Sequence, residues 1–332
     1  MKSVLKRLTA ASFLVGVVVL RLSACVSAGE MLQVRLKHAE DRVTILVGET
    51  AVTDYVFHDA KISRPYFAHV KSPNGVRVTR NHPPLAGVDR PDHPEFHPGI
   101  WMAFGDLAGC DDWRLKTTVR HAGFIAPDVE GPQRAGFAVR NEYLSADGHE
   151  TVCEETCRLT FSVRPSGYLL EWDATFRSKT PFWFGDQEEM GLGFRMATPL
   201  RVERAATAPM PAGTGEIVDA EGRRNEAQVA KHAARWCDYR GEIDGQRAGI
   251  ALLCHPQNFR PSWFHARDYG LLVANPFGQK ALAGGEPSRV EVKAGEPFRL
   301  RYGILIHGGE KDTWPDVEAA YQDYVKLMQE SP

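Results

Sequence analysis

The stretch RLTFSVRPSGYLLEWDATF, residues 158–176, decides the fold class. Two runs, RLTFSV (158–163) and YLLEWDATF (168–176), have the composition and alternation of half-buried strands, and Pro165-Ser166-Gly167 separates them at hairpin length. A break this short joins antiparallel neighbours, because a parallel crossover needs a dozen or more residues. The same kind of run recurs in LQVRLKH (32–38), VTILV (43–47), VTDYVF (52–57), VRVTR (76–80), IALLC (250–254), VEVKA (290–294) and FRLRYGILIH (298–307), with Asn74-Gly75 as another turn signal. The reading is an all-β chain forming an antiparallel β-sandwich. Immediately upstream, ETVCEETCRLTFSV places Cys153 and Cys157 in one strand, roughly 13 Å apart, too far to bridge each other.

Helical character is concentrated at the end. DTWPDVEAAYQDYVKLMQ offers a polar cap at Asp312 or Thr313, Pro315 in the first turn, and apolar residues at 317, 320, 321, 324, 325 and 328, which share one helical face. Residues 204–230 are rich in Ala, Gly and charge with weak periodicity and read as a long excursion inside the domain.

The first residues belong to a different class. Lys2, Lys6 and Arg7 precede an apolar run from Leu8 to Leu20, too short to span a bilayer comfortably and suited to the core of an export signal. Residues 1–28 are therefore expected to be a signal peptide. Cutting before Gly29 and a lipoprotein signal ending at Cys25 both remain open; the latter would leave the protein lipid-anchored. Residues 29–332 form one β-sandwich domain, expected in the periplasm or outside the cell. Five cysteines follow Cys25, scattered and without a CxxC pair, so no disulfide framework is legible.

Composition narrows the partners. The chain has 40 basic and 42 acidic residues among 332, with no block of like charge, which argues against a nucleic-acid surface or a polybasic membrane patch. There is no GxGxxG turn, GxxxxGK[ST] loop or GxSxG elbow, so no nucleotide cofactor and no serine-hydrolase nucleophile is expected.

Three stretches can carry chemistry. In GDQEEMGLGFRMATPL (185–200), strand alternation puts Met190, Leu192, Phe194 and Met196 on a core face and Gln187, Glu189, Gly191, Gly193 and Arg195 on a polar face. Glu189 is the expected working acid, Arg195 a holder of hydroxyls or a carboxylate, and the glycines a flat floor between them; Glu188 falls on the apolar parity. In RPSWFHARDYGLLVANPFG (260–278), Trp263, His265 and Arg267 share a face, with Asp268 at the following turn. An aromatic plate, an imidazole titrating near neutrality and a fixed cation suit a sugar, whose ring stacks while its hydroxyls bind charge. Asp268 would orient His265, or else begin the turn. In DRPDHPEFHPGIWMAFGD (89–106), His93 and His97 stand four apart, but Pro94 and Pro98 follow them and disfavour the helix that would align the two rings. They remain candidates for a divalent metal pair, for substrate contacts, or for a merely loop-shaping role. Trp101 is a second candidate stacking floor, and His255, ending a strand, a further substrate contact.

At these residues the chain resembles a family of secreted bacterial proteins labelled PmoA-like or "methane oxygenase PmoA". RPYFAHVKSPNGVRVTRNHPP, DHPEFHPGIWMAFGDLAG, GDQEEMGLGFRMATPL, CHPQNFRPSWFHARDYGLLVANPFG and LRYGILIHGG carry the resemblance in that order, over about residues 50 to 308. In place of that family's DHPHHRG run, this chain has Glu95-Phe96 before His97, and Pro98 after it. The resemblance implies a β-sandwich of the galactose-mutarotase-like supersandwich type and a setting of glycan degradation. Its label implies a metal-dependent oxygenase, yet a membrane methane monooxygenase subunit needs apolar spans of about 20 residues, and none follows the leader. The expectation is an exported carbohydrate-active protein acting on a glycan or oxidised sugar as a hydrolase, lyase or epimerase. Its alternatives are a non-catalytic glycan binder and the oxygenase.

Overall fold

The computed structural model describes residues 32–205, 210, 212–309 and 313–330. Residues 1–31, which include the expected signal peptide and Cys25, and Asp312 lie outside the described residues. Strands dominate, and every ladder between them is antiparallel. Gln33–His38, Arg42–Val47, Thr50–Val56, Tyr66–Ala68, Ile100–Phe104, Met190–Arg195, Leu271–Asn275 and Trp263–Arg267 pair in that order into a first sheet. Val119–Phe124, Arg134–Leu144, Thr151–Arg164, Gly167–Arg177, Phe298–Gly309, Gln246–Cys254, Trp236–Ile243 and Glu216–Asp219 form the second. A short strand, Val129–Pro132, pairs with both Gln33–His38 and Arg134–Leu144 and stitches the sheets along one edge. Gly167 lies opposite Arg164 across the hairpin turn of the opening stretch.

The two sheets bury their facing side chains against each other, as a sandwich requires. Tyr55 of the first sheet meets Phe137 of the second at 5.2 Å between ring centroids, and Phe67 meets Trp172 at 5.8 Å. Strand alternation then dictates what faces outward. Met190, Leu192, Phe194, Phe264 and Ala266 belong to the inter-sheet core. A separate apolar cluster containing Val56, Tyr66, Ala68, Trp101, Trp113, Leu271 and Val273 lies on the outer face of the first sheet. The outer face of the second sheet is covered by the helix Val317–Glu330, whose Val317, Ala320, Tyr321, Tyr324 and Met328 pack on Leu169, Ala251, Leu253 and Leu305. The helix begins at Val317, two residues beyond Pro315, so Pro315 precedes its first turn. Asp316 is its cap, accepting from the Ala319 amide at 3.0 Å.

Two expectations change. VRVTR is not a regular strand; it holds only isolated bridges, Lys71 with Arg77 and Thr79 with Met196, and Val78 is buried through them. The 204–230 excursion contains the strand Glu216–Asp219 and a short helix, Asn225–Val229. Cys153 and Cys157 are buried and free in Thr151–Arg164, as are Cys110, Cys237 and Cys254. At the far edge of the first sheet, the Lys231 amide donates to the Phe264 carbonyl at 2.9 Å and the Phe264 amide to the His232 carbonyl at 3.0 Å, so this edge is occupied at Phe264. No helix among the described residues is long and apolar enough to cross a membrane.

Candidate functional site

The outer face of the first sheet gathers most of the expected site residues. Register places Trp101, Gly193, Val273 and His265 side by side on four neighbouring strands. At about 4.8 Å per strand, Trp101 and His265 stand roughly 14 Å apart. Two different environments occupy the ends of this row.

At the Trp101 end Trp101, Trp113, His97, Arg80 and Arg195 are buried, with His93 exposed on top of them. His97 stacks on Trp101 with centroids 5.1 Å apart and planes 10° apart, and His93 stacks on His97 at 4.9 Å. Trp113 closes the Trp101 edge at 5.4 Å. Arg195 donates from Nη2 to both Asp92 carboxylate oxygens at 2.8 Å, lies 4.4 Å from the Tyr269 ring centroid, and approaches His97 Nδ1 at 3.4 Å. Arg80 donates to the carbonyls of Arg90, Asp92, His93 and His97. Together they clamp the proline-rich loop 82–98 onto the sheet. Burial, and then the charge of Arg195, hold the His97 imidazole well below its usual titration range.

This corrects several expectations. Arg195 is 1% exposed and committed to Asp92, so it does not present a free cation to a ligand. Trp101 is fully buried under His97 and offers no stacking floor. The parallel rings of His93 and His97 turn faces, not nitrogen lone pairs, toward each other, and His97 Nδ1 meets a guanidinium. In this arrangement the pair does not converge on a cation, and no group of three His, Cys, Asp or Glu among the described residues is placed to hold a metal. Gly191 and Gly193 are not open floor either: a Cβ at Gly191 would fall 2.2 Å from the Ala274 carbonyl oxygen, and one at Gly193 would fall 3.0 Å from Val273.

The other end of the row is polar: His265 is only 4% exposed, and Glu188, Glu189, Trp263 and Arg267 around it are partly exposed. Residues 185–189 precede the strand Met190–Arg195, so strand parity does not govern Glu188, and both carboxylates reach the outer side. Glu188 accepts from Arg267 at 3.2 Å and is 40% exposed. Glu189 accepts from Arg114, which also holds Asp111 at 3.0 Å and reaches Gln187 at 3.4 Å. His265 is fixed through Nδ1 to the Glu188 carbonyl at 3.0 Å. A carbonyl can only accept, so the proton is assigned to Nδ1 and the neutral ring keeps its lone pair on Nε2. Burial, followed by the charge of Arg267, depresses His265 to about 4. It is thus neutral across the physiological range and does not titrate near pH 7 as the sequence suggested. Asn275 donates to the carbonyls of Gln187 and Glu188 at 2.7 and 3.1 Å and holds the segment in place. Trp263 is half-buried at the rim, with Arg260 over its ring at 6.0 Å.

Two expected residues lie outside this group. The Asp268 carboxylate accepts from the Glu226 amide at 2.9 Å and tethers the short helix; it does not touch His265. His255 follows the second-sheet strand Gln246–Cys254, where its Nδ1 accepts from the Gln257 amide and its ring meets Tyr324 of the C-terminal helix. Arg114 and Glu226, which reaches Arg267 at 3.5 Å, were missed because they come from segments with no periodic signal.

Fold and site define an antiparallel β-sandwich protein with a carboxylate, imidazole and guanidinium cluster on one outer face. The chain belongs to the family described as "Family of unknown function (DUF6807)", whose model matches residues 42–321. No curated protein matches the sequence. Among solved structures it is similar to a galactose mutarotase-like protein from Lactobacillus casei ATCC 334, with 11% identity and TM-score 0.38, covering 82% of this chain and 100% of that one. A galactose mutarotase related enzyme from Lactobacillus acidophilus gives 7% identity and TM-score 0.31, covering 85% of this chain and 98% of that one. The GH36 α-galactosidase AgaA from Geobacillus stearothermophilus gives 10% identity and TM-score 0.41 over 83% of this chain, which spans only 40% of that enzyme. These are loose likenesses of shape.

Proposed function

We propose that this is an exported carbohydrate-active protein that performs acid/base chemistry on a sugar at the Glu188, Glu189, His265 and Arg267 cluster. The observation that carries the reading is His265. It is neutral, locked in one tautomer by the Glu188 carbonyl, turned to the outer face, and flanked by a carboxylate that a guanidinium holds in place. Such a ring accepts a hydrogen bond from a sugar hydroxyl through Nε2, while Arg267 and Arg114 donate to hydroxyl or carboxylate oxygens and Trp263 lends an apolar surface to the ring. Glu188 is the more open of the two carboxylates and so the better placed to exchange a proton with a sugar carbon or glycosidic oxygen. Glu189, held by Arg114, then positions that arginine. The leader-like residues 1–28 supply the export part of the reading.

A second reading, a glycan binder without turnover, is favoured by one observation: both carboxylates already have arginine partners, and an imidazole at about 4 is a weak base. Binding and product release across a panel of neutral and uronic-acid oligosaccharides separate the two. The enzyme reading expects turnover that Glu188→Gln and His265→Ala each abolish, with binding kept in Glu188→Gln. Binding without turnover by the unaltered protein establishes the second reading. A protein that neither binds nor converts any member of the panel sinks both.

A further inference from the structure

A cleft opens on the same outer face, on the far side of the His97 and Trp101 stack. Its volume is about 500 Å3, within the range of about 300–1,000 Å3 usual for small-molecule sites, and its walls include Asp59, Tyr66, His69, His82 and Glu95. None of these belongs to the cluster around Glu188.

The polar groups here are held rigidly. Asp59 accepts from the Lys61 and Ile62 amides at 2.7 and 3.1 Å and from the Tyr66 hydroxyl at 2.7 Å. Burial opposes its ionisation, but the Lys61 amide, the Tyr66 hydroxyl and the Ile62 amide together keep the carboxyl below its ordinary range. His69 adopts a left-handed backbone, with φ at 57°, a conformation rare for a residue with a side chain. There its ring spans from Asp54, at 2.9 Å, to the His82 carbonyl, at 3.2 Å, and so fixes the loop that carries His82.

His82 itself is left incomplete. Its Nδ1 is buried with no partner, and its Nε2 stands 4.0 Å from the nearer Asp59 oxygen, too far for a direct hydrogen bond. A hydroxyl set beside that gap would bridge the two groups, donating to the carboxylate and meeting the imidazole. Burial lowers His82 to about 4, so the ring is neutral and can serve as either partner of a hydroxyl.

Charge then selects the ligand class. An anion would face Asp59 and Glu95; a cation would face Lys61 and the Arg42 guanidinium, itself paired with Asp41 at 2.5 Å. A neutral ligand with several hydroxyls uses donors and acceptors of both signs. We propose that this cleft binds a neutral polyhydroxylated small molecule, a monosaccharide or cyclic polyol, through Asp59, His82 and Glu95. The assignment does not depend on the reaction proposed for the Glu188 cluster.

Ligand-observed NMR and calorimetry on the full chain, with free hexoses, a disaccharide set and myo-inositol as probes and spermidine as a cationic control, test it. Two variants block the cleft: His82→Phe, which removes the imidazole, and Ala60→Trp, at an exposed lining position. The expected result is a neutral probe whose Kd rises at least tenfold in both variants and is unchanged in Glu188→Gln and His265→Ala. Binding that survives both blocking variants, binding lost only in Glu188→Gln or His265→Ala, preference for spermidine, or no neutral probe bound at millimolar concentration would each overturn the proposal. A melting temperature for Ala60→Trp equal to that of the parent shows that the loss is of the site and not of the fold.

Discussion

Asp92→Ala should destabilise the protein more than Arg195→Met, although the two residues form one ion pair. Among the described residues, Asp92 is the only carboxylate in the ion pairs of both Arg80 and Arg195, whose side chains are each 1% exposed. Removing it leaves two buried guanidinium groups without their ion-pair partner, and breaking a buried pair in this way costs about 3–5 kcal/mol. Because the Asp92 side chain is itself 23% exposed, solvent screening reduces the expected loss to about 2–4 kcal/mol. Arg195→Met is milder. Asp92 keeps Arg80 at 3.3 Å and Arg90 at 3.7 Å, methionine replaces much of the buried volume, and the lost contact with Tyr269 is worth about 0.5–2 kcal/mol. The double variant should cost less than the sum of the two single ones. Urea unfolding followed by tryptophan fluorescence measures this, with Trp101 and Trp113 reporting beside the pair and the m-value checking that the transition stays comparable. Arg195 and the other arginines overcome burial to hold Asp92 below its ordinary range. The contribution of the pair is therefore full above the unfolded carboxyl value, about 4, and is lost as pH falls through the folded one. An Arg195→Met loss equal to or larger than that of Asp92→Ala would refute the reasoning.

Glu155, fully buried in the core, is pushed up to about 7 by burial, against the opposing bond from Asn141. Its folded form keeps a proton that the unfolded chain releases near pH 4, so its favourable contribution is lost between about pH 4 and 7; Glu155→Gln should gain up to about 3 kcal/mol on the parent over that span, read as urea midpoints at both pH values. The His265 ring should show no titration by NMR between pH 5.5 and 8, and a midpoint near neutrality would contradict the burial assigned to it. Gly191→Ala combines a φ of 109° with a carbonyl contact at 2.2 Å and should cost about 3 kcal/mol or more in urea unfolding. Gly109→Ala, at φ 84° with no heavy atom near the new Cβ, should cost about 1–2 kcal/mol from backbone strain alone.

The sequence was most informative where a single physical rule governs. Period-two alternation placed Met190, Leu192 and Phe194 inward and Trp263, His265 and Arg267 outward, and the structure has them so, because one face of each strand must meet the opposite sheet. The rule ends where the strand ends. Glu188 lies two residues before Met190, so parity could not place it. Burial by a distant loop was equally illegible: Arg195 has the look of a ligand-holding cation until Asp92, more than a hundred residues earlier, arrives to neutralise it. His93 and His97 look like ligands until the same loop stacks them on Trp101. The short strand Glu216–Asp219 was hidden because four residues carry too little periodicity to stand out from their surroundings.

The contacts made by Lys231 and His232 along the Trp263–Arg267 strand have a consequence for the behaviour of the protein in a crowded compartment. An uncovered terminal strand is a template on which a second chain can add its own backbone. Here the first residues of the template are already taken, and at the opposite boundary Val129–Pro132 closes the seam between the sheets. Damage to residues 231–233 would therefore show itself first as self-association of folded molecules, visible by light scattering, before any fall in melting temperature.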